Sequence, residues 1–536
     1  MKLKEFFKNF FLRIKEGISR FLIAFICSIA LFLTVSFEII FETGEDEILV
    51  PLCMAFALVA VLSVLLKTAE EYISKIVKPV IQYAVAVVAA VACFILVKIN
   101  YKSLYMVMAY SGIMIALVCF IFYVLMRGEN RNLIFPKLVA SMIFTGAVCG
   151  VLSGGLSTCI AAFHSLIFDW DDSYKIYLII NLFVWAVGYV NIFLSSIPQK
   201  DEEVPQSKIY RAFVLFAGLP LYMLLITILL VYLAKIVITL NMPVGEINWF
   251  ASFASLFFIF FLLSVMQYEE KAAKLFSKFG GYLLIPVLVM QAIAVFERIN
   301  AYGLTTPRTV SLVLIVISAM FIGSSLIAPK HMNKIALASG IIVLIVTITP
   351  LNVIDMPIAS QTNILEEVLI ANNMLENGTV TPNENVSDED AERIISAYEY
   401  LKYDAKNLPD FIPDSTNSTK EIFGIEDSWS SRNDWDNSIY CYFHTKEAVD
   451  ITGYDRMVKI GHFNDVIEIE HKGQRYDVDV KALASELYET YGEDHEDIDL
   501  YQVNDEIAIY FESFSFDVEN DGIDFNYLDG YVLLKN

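Results

Sequence analysis

The sequence predicts a membrane-embedded all-α bundle of about eleven transmembrane helices, followed by a C-terminal soluble α+β domain with a mainly antiparallel sheet. Three observations predict it. Mean hydropathy is +0.56, and 56% of residues are hydrophobic against 18% charged, more apolar surface than a globular core buries. The apolar residues fall in runs long enough to cross a bilayer, where only segments that satisfy their own backbone polar groups survive. Charge is split along the chain: from Met356 onward there are 40 Asp/Glu and 12 Lys/Arg, whereas the preceding 355 residues carry 21 acidic and 26 basic side chains.

These observations divide the chain into a basic amphipathic segment (1–17), a polytopic membrane domain (18–351) and an acidic extracytoplasmic α+β domain (352–536). In the first segment Leu3, Phe6, Phe7, Phe10, Phe11 and Ile14 recur at helical spacing between basic residues. That pattern suits a helix lying on an anionic leaflet or a simple extension of the first span. The spans read as 18–41, 48–66, 77–98, 104–126, 137–163, 174–197, 210–237, 247–266, 281–299, 309–328 and 333–351. Lys and Arg collect at the amino terminus and in alternate loops (Lys67, Lys75 and Lys78; Arg127, Arg131 and Lys137; Lys200, Lys208 and Arg211; Lys271, Lys274 and Lys278; Lys330 and Lys334). The intervening loops are poor in positive charge or acidic, as in Glu42–Glu47. The positive-inside rule then places the amino terminus in the cytoplasm and, with an odd number of spans, the acidic domain outside. Six of the seven cysteines lie in apolar stretches and only Cys441 in the tail, so no disulfide can form within the tail.

In the tail the pattern predicts helices over about 361–376 and from Ser387 to about Tyr403, then strands at Ile439–Phe443, Val466–Glu470, Tyr476–Val480 and Ile507–Phe516, with a helix near Ala482–Tyr491. Lys472-Gly473 and Asn520-Asp521-Gly522 sit where hairpin turns belong, and the acidic run Glu493–Asp499 reads as a solvated loop. Asp517-x-Glu519-x-Asp521-Gly522 opens like a calcium loop, but its twelfth position is Leu528 where a bidentate Glu is needed. His164 with Asp169, Asp171 and Asp172 matches no ligand spacing and reads as an interfacial loop. With no phosphate-cradling loop, zinc spacing or nucleophile triad, no catalytic, cofactor or metal residue is assigned.

Two constellations stand out. Gly146, Gly150 and Gly154 are four apart in the fifth span, the spacing of a helix-packing stripe. Glu297, Arg298, Tyr302, Gly303, Thr305 and Arg308 form the turn between the ninth and tenth spans, where charges near membrane depth either pair with one another or hold an anion. The run Tyr302-Gly303-Leu304-Thr305-x-x-Arg308 after a span bearing Arg298 resembles a signature of the membrane family called Domain of Unknown Function 4153. Tyr210-Arg211, Pro220, Tyr232, Lys235, Pro243-x-Gly245 and the stretch from Ser360-Gln361 to Asn377-Gly378 carry the same likeness. The resemblance implies a bacterial cytoplasmic-membrane protein and brings no assigned activity.

The functional expectation is a non-enzymatic protein whose external domain senses or binds a protein, cell-envelope or lipid partner, coupled to a signalling or scaffolding bundle in the lipid bilayer. The alternatives are a transporter or lipid-handling protein and, third, a membrane-embedded transferase. The acidic tail excludes nucleic acid, because phosphates would be repelled.

Overall fold

A computed structural model describes residues 2–535 except 45, 74–77, 101, 129, 168–171, 201, 240–245, 377, 414–418, 426–438, 447–448, 450, 463–465, 492–493, 499, 505 and 520–521. Among the described residues, eleven helices are long and apolar enough to cross a membrane: Leu22–Phe41, Glu47–Tyr72, Pro79–Asn100, Leu104–Leu125, Arg131–Leu166, Ser173–Ser195, Lys208–Thr239, Asn248–Val265, Lys271–Tyr302, Thr306–Ile327 and Pro329–Ile348. They are numbered here as spans one to eleven, and each coincides with a run read from hydropathy. Their surfaces are apolar all round, as lipid-facing helices require: Val151 is 76% and Phe216 81% exposed.

The residues form two compact units, Met1–Ala371 with Ala397–Asp410, and Asn372–Ser396 with Phe411–Asn536. In the first, spans seven to ten close around an aromatic core of Tyr222, Phe258, Phe261 and Phe276 with Leu284 and Ile322. Spans four and eleven pack at glycines. A Cβ at Gly112 would collide with Thr347, and one at Gly340 would stand 2.7 Å from the Phe120 ring. Span seven opens with α-helix, Lys208–Phe213, and then takes a π-helical turn, Val214–Gly218, just ahead of Pro220. A proline lacks the N–H for its helical bond and its ring displaces the carbonyl four residues back, so one extra residue is taken up there.

The amphipathic segment is a helix, Lys2–Arg20, that packs on the end of span six, with Gly17 against Ser195. Phe11 remains 64% exposed. At this end of the bundle odd-numbered spans begin and even-numbered spans finish, and polar groups bind them together. Arg20 grips Glu71 in a bidentate pair, Nε to Oε1 at 3.0 Å and NH2 to Oε2 at 2.6 Å, and also donates to the carbonyls of Ile197 and Pro198. Arg211 pairs with Glu270, and Arg131 donates to the Lys330 carbonyl at 3.3 Å.

Among the described residues the second unit holds ten strands: β1 (Leu375–Glu376), β2 (Thr379–Val380), β3 (Ile439–Thr445), β4 (Arg456–His462), β5 (Val466–His471), β6 (Gln474–Asp479), β7 (Asp494–Ile498), β8 (Tyr501–Asn504), β9 (Ile507–Glu519) and β10 (Gly522–Leu534). The main sheet runs β4-β10-β9-β3-β7, with β8 also on β9, and every pairing in it is antiparallel except β3 with β7. Phe443, Phe511, Phe514 and Phe516 fill its core, and the helix Val480–Tyr491 adds Leu483, Ala484 and Leu487. The predicted strands and this helix are all present. Lys472 and Gly473, both at positive φ, turn β5 into β6. Glu519 pairs with Gly522 across the second predicted turn, whose Asn520 and Asp521 lie outside the described residues.

Two readings are corrected. The helix predicted over 361–376 is Asp355–Ala371, and Leu375–Glu376 instead begins the small β1–β2 ribbon, whose Gly378 has φ 78°. The acidic run taken as a loop contains β7. Backbone pairing to β3 and burial of Ile498, 2% exposed, hold a strand whose other residues are three carboxylates and His495. The helix foreseen from Ser387 is present as Asp388–Glu399, with the Ser387 hydroxyl accepting the Asp390 N–H at 3.3 Å.

Candidate functional site

Spans nine and ten are separated only by Gly303, Leu304 and Thr305. Reversing two long helices in so few residues demands an unusual backbone, and Gly303 supplies it with φ 74° and ψ −176°. That region is closed to residues with a Cβ. A Cβ there would also run into Ile364 and come within 3.0 Å of Gln361 Nε2. Thr305 leads into span ten in an extended conformation, and Pro307 occupies the first turn, where a missing N–H removes no bond.

A turn this tight strands carbonyls at the end of one helix and amides at the start of the next. Side chains take them up. Gln361 Nε2 donates to the carbonyls of Tyr302 at 2.8 Å and Leu304 at 2.9 Å, and Ser360 Oγ accepts the Leu304 N–H at 2.9 Å. Arg308 NH1 reaches back to the Gly303 carbonyl at 2.6 Å and that of Tyr302 at 3.3 Å. Thr306 Oγ1 donates to the Val353 carbonyl at 2.8 Å, and the Tyr400 hydroxyl lies 2.9 Å from that oxygen and 3.3 Å from the Thr306 nitrogen. Ser360 and Gln361 belong to the helix Asp355–Ala371, which follows the last span, so this helix is fastened to the turn by paired hydrogen bonds.

The charges are arranged differently from the expected mutual pairing. Among the described residues Glu297 forms no ion pair with Arg298 or Arg308. Arg308 spends its donors on carbonyls, its guanidinium 6.0 Å from the Tyr302 ring centroid. Arg298 is near enough for its charge to act on Arg308, and its buried Nε has no hydrogen-bond partner. Two guanidinium groups thus share one end of the bundle, and among the described residues neither is paired with a carboxylate. Guanidinium groups without a carboxylate partner have the chemistry to hold an anion.

The family model described as Domain of unknown function (DUF4153) matches residues 21–380, two thirds of the chain. The chain belongs to this family. No curated protein and no solved structure matches it. The matched DUF4153 residues run through all eleven spans, the Gly303 turn and the helix Asp355–Ala371, and end before the main β-sheet. Within this DUF4153 region, Ser360 and Gln361 meet Tyr302 and Leu304, so motifs far apart in sequence form one hydrogen-bonded unit. Tyr210 is likewise engaged, its hydroxyl 2.7 Å from Ser264 Oγ, and Arg211 pairs with Glu270. The Pro243-x-Gly245 loop, Asn377 and the aspartates Asp169 and Asp171 lie outside the described residues.

The glycine stripe of span five does not make the close approach expected of it within this chain. A Cβ at Gly150 or Gly154 would meet nothing within 4 Å, and one at Gly146 only the Tyr189 ring at 3.9 Å. Span six is met instead by Ser153, which hydrogen-bonds Asn181, and by Ser157, 3.2 Å from Asn181 Nδ2. Ser153 and Ser157 each stand seven residues, about 20° round the helix, from Gly146 and Gly150, so the contact with span six lies on the side of these two glycines and is made by serine side chains instead of bare backbone. Sequence reasoning also missed a buried amide cluster. Gln291 Nε2 donates to Asn248 Oδ1 at 3.0 Å and Ser252 Oγ at 2.9 Å, and Asn248 Nδ2 donates to Ser311 Oγ at 3.0 Å, tying spans eight, nine and ten. Isolated amides inside otherwise apolar runs were the available signal.

Proposed function

We propose that this is a non-enzymatic protein of a bacterial cytoplasmic membrane, in which an extracytoplasmic domain binds or senses a partner and the bundle transmits or scaffolds the response. The observation that carries the reading is the fastening of the helix Asp355–Ala371 to the Gly303 turn through Ser360 and Gln361. The chain passes from the membrane unit into the second unit at 371/372, returns at 396/397 and leaves again at 410/411. The returning segment carries Tyr400, bonded to Thr306 of the same turn. Force or order imposed on the second unit therefore reaches span ten through the backbone and a few short hydrogen bonds. The alternation of basic loops supports an amino terminus inside and the acidic domain outside.

The test has two parts. Single cysteines placed after Lys278, Lys334 and Asn536 are labelled in intact cells with a membrane-impermeant reagent. Labelling only after Asn536 is expected, and labelling after Lys278 overturns the orientation. Deletion of residues 411–536 and the substitution Gln361→Ala are then compared under envelope stress. A shared defect is expected, and a deletion without effect removes the sensing role. The amide cluster of spans eight to ten favours a second reading, passage of a solute or lipid, for which reconstituted protein must move a labelled substrate.

A further inference from the structure

The bundle contains a second feature, far along the chain from the Gly303 turn. A cavity of about 270 Å³ lies between the first turns of span five, the segment 205–207 that leads into span seven, and Gln267 beyond span eight. Lys137 lines it, and among the described residues its ammonium forms no hydrogen bond or ion pair. A half-buried cation normally finds a partner, because leaving water costs it solvation. Opposite stand Gln206, Gln267 and Ser207. Ser207 caps span seven by accepting the Tyr210 N–H at 3.3 Å, which leaves the amides of Lys208 and Ile209 at the positive end of a 32-residue helix. Arg13 adds positive charge nearby, and Glu202 opposes it.

The cavity is graded from polar to apolar. Lys137 is six residues into the helix that starts at Arg131, about 9 Å along its axis, and Phe144 lies about 10 Å deeper. Phe144 lines the cavity and is 51% exposed on the outer face of the bundle, so the deep end opens toward lipid tails. A free anion has no use for that apolar end, whereas an amphiphile fills both parts.

We propose that this cavity binds the headgroup of an anionic phospholipid, with the phosphate between the Lys137 ammonium and the start of span seven and an acyl chain along Phe144. The site is independent of the sensing role and of which side of the membrane it faces. Its ligand chemistry, a phosphate group, is shared with free phosphate, and the experiment separates the two sources.

Full-length protein is placed in nanodiscs of phosphatidylcholine with increasing phosphatidylglycerol, and retained lipid is counted by native mass spectrometry. One or more phosphatidylglycerol molecules are expected to be retained in preference to phosphatidylcholine. Lys137→Ala is expected to weaken that retention at least about fivefold, the effect of one interfacial positive charge. Lys271→Ala, an exposed lysine at the same end, is expected to leave it unchanged. If Lys137→Ala fails to fold in pure phosphatidylcholine, Lys137→Met, which keeps the apolar stem, takes its place. Equal losses from the Lys137 and Lys271 variants reduce the effect to diffuse surface charge and overturn the proposal. So does the absence of any preference for phosphatidylglycerol in the wild-type protein. A Lys137-dependent stabilisation of detergent-solubilised protein by inorganic phosphate alone, with no lipid preference, assigns the site to a free anion and likewise overturns it.

Discussion

The two ends of the bundle use arginine in opposite ways. At the basic-loop end Arg20 is held by a carboxylate and two carbonyls, its side chain only 10% exposed, and one guanidinium joins spans one, two and six. At the other end Arg308 closes the Gly303 turn through carbonyls alone, and Arg298 faces a second cation instead of a carboxylate. The first arrangement neutralises its charge and is a clamp. The second leaves two guanidinium groups within electrostatic range of each other, and among the described residues neither forms an ion pair.

The largest test of the contrast is Gly303→Ala. The backbone there is in a glycine-only region, and the new methyl group meets Ile364 and Gln361. A loss of about 3 to 4 kcal/mol is expected, read as a drop in the thermal midpoint of the full chain in nanodiscs. A neutral result would mean that the turn relaxes freely and fastens nothing. Next in size is Arg20→Ala, which leaves Glu71 and two carbonyls unpaired in a largely buried site. About 3 kcal/mol is expected. A loss under about 1 kcal/mol would show the clamp to be a surface pair and erase the difference between the ends.

Gln361→Ala comes third. It strips one donor from two carbonyls, Tyr302 and Leu304, and about 2 kcal/mol is expected. Hydrogen exchange sharpens the reading. Protection should fall at 302–306 and along the helix Asp355–Ala371 together, because they are one bonded unit. Loss confined to the helix would leave the turn stable by itself and remove the coupling.

The legible and illegible parts of this molecule divide by physical cause. Span positions could be read because a bilayer imposes length and apolarity on each helix separately, so Leu22–Phe41 announces itself without reference to a neighbour. The Gly303 turn could be located for a similar reason: glycine, proline and arginine between two apolar runs are local signals. Who satisfies that turn could not be read, because Ser360, Gln361 and Tyr400 lie 56 to 94 residues away and nothing in their local sequence points to the turn. Span five shows the reverse error. Spacing of Gly146, Gly150 and Gly154 is a local signal too, but how closely a neighbour approaches the glycines is a tertiary fact, and the contact with span six is made by Ser153 and Ser157. β7 was hidden because its charged residues carry no hydrophobic alternation, and only its pairing with β3 makes it a strand.

The smallest expected effect is the most discriminating. Arg298 forms no hydrogen bond or ion pair among the described residues, and its only electrostatic relation of note is with Arg308, a like charge. Its removal therefore takes away repulsion and some packing of its stem, two terms of opposite sign. Arg298→Ala should shift stability by less than about 0.5 kcal/mol, against about 3 for Arg20→Ala, although both residues are partly buried arginines at span ends. Arg298→Glu goes further, since it places a carboxylate beside Arg308 and should raise the midpoint by the equivalent of about 0.5 to 1 kcal/mol. If Arg298→Ala costs as much as Arg20→Ala, the guanidinium has a structural partner and its charge is not left open. If Arg298→Glu stabilises the fold while mimicking the envelope-stress defect of Gln361→Ala, the open charge is what the protein uses.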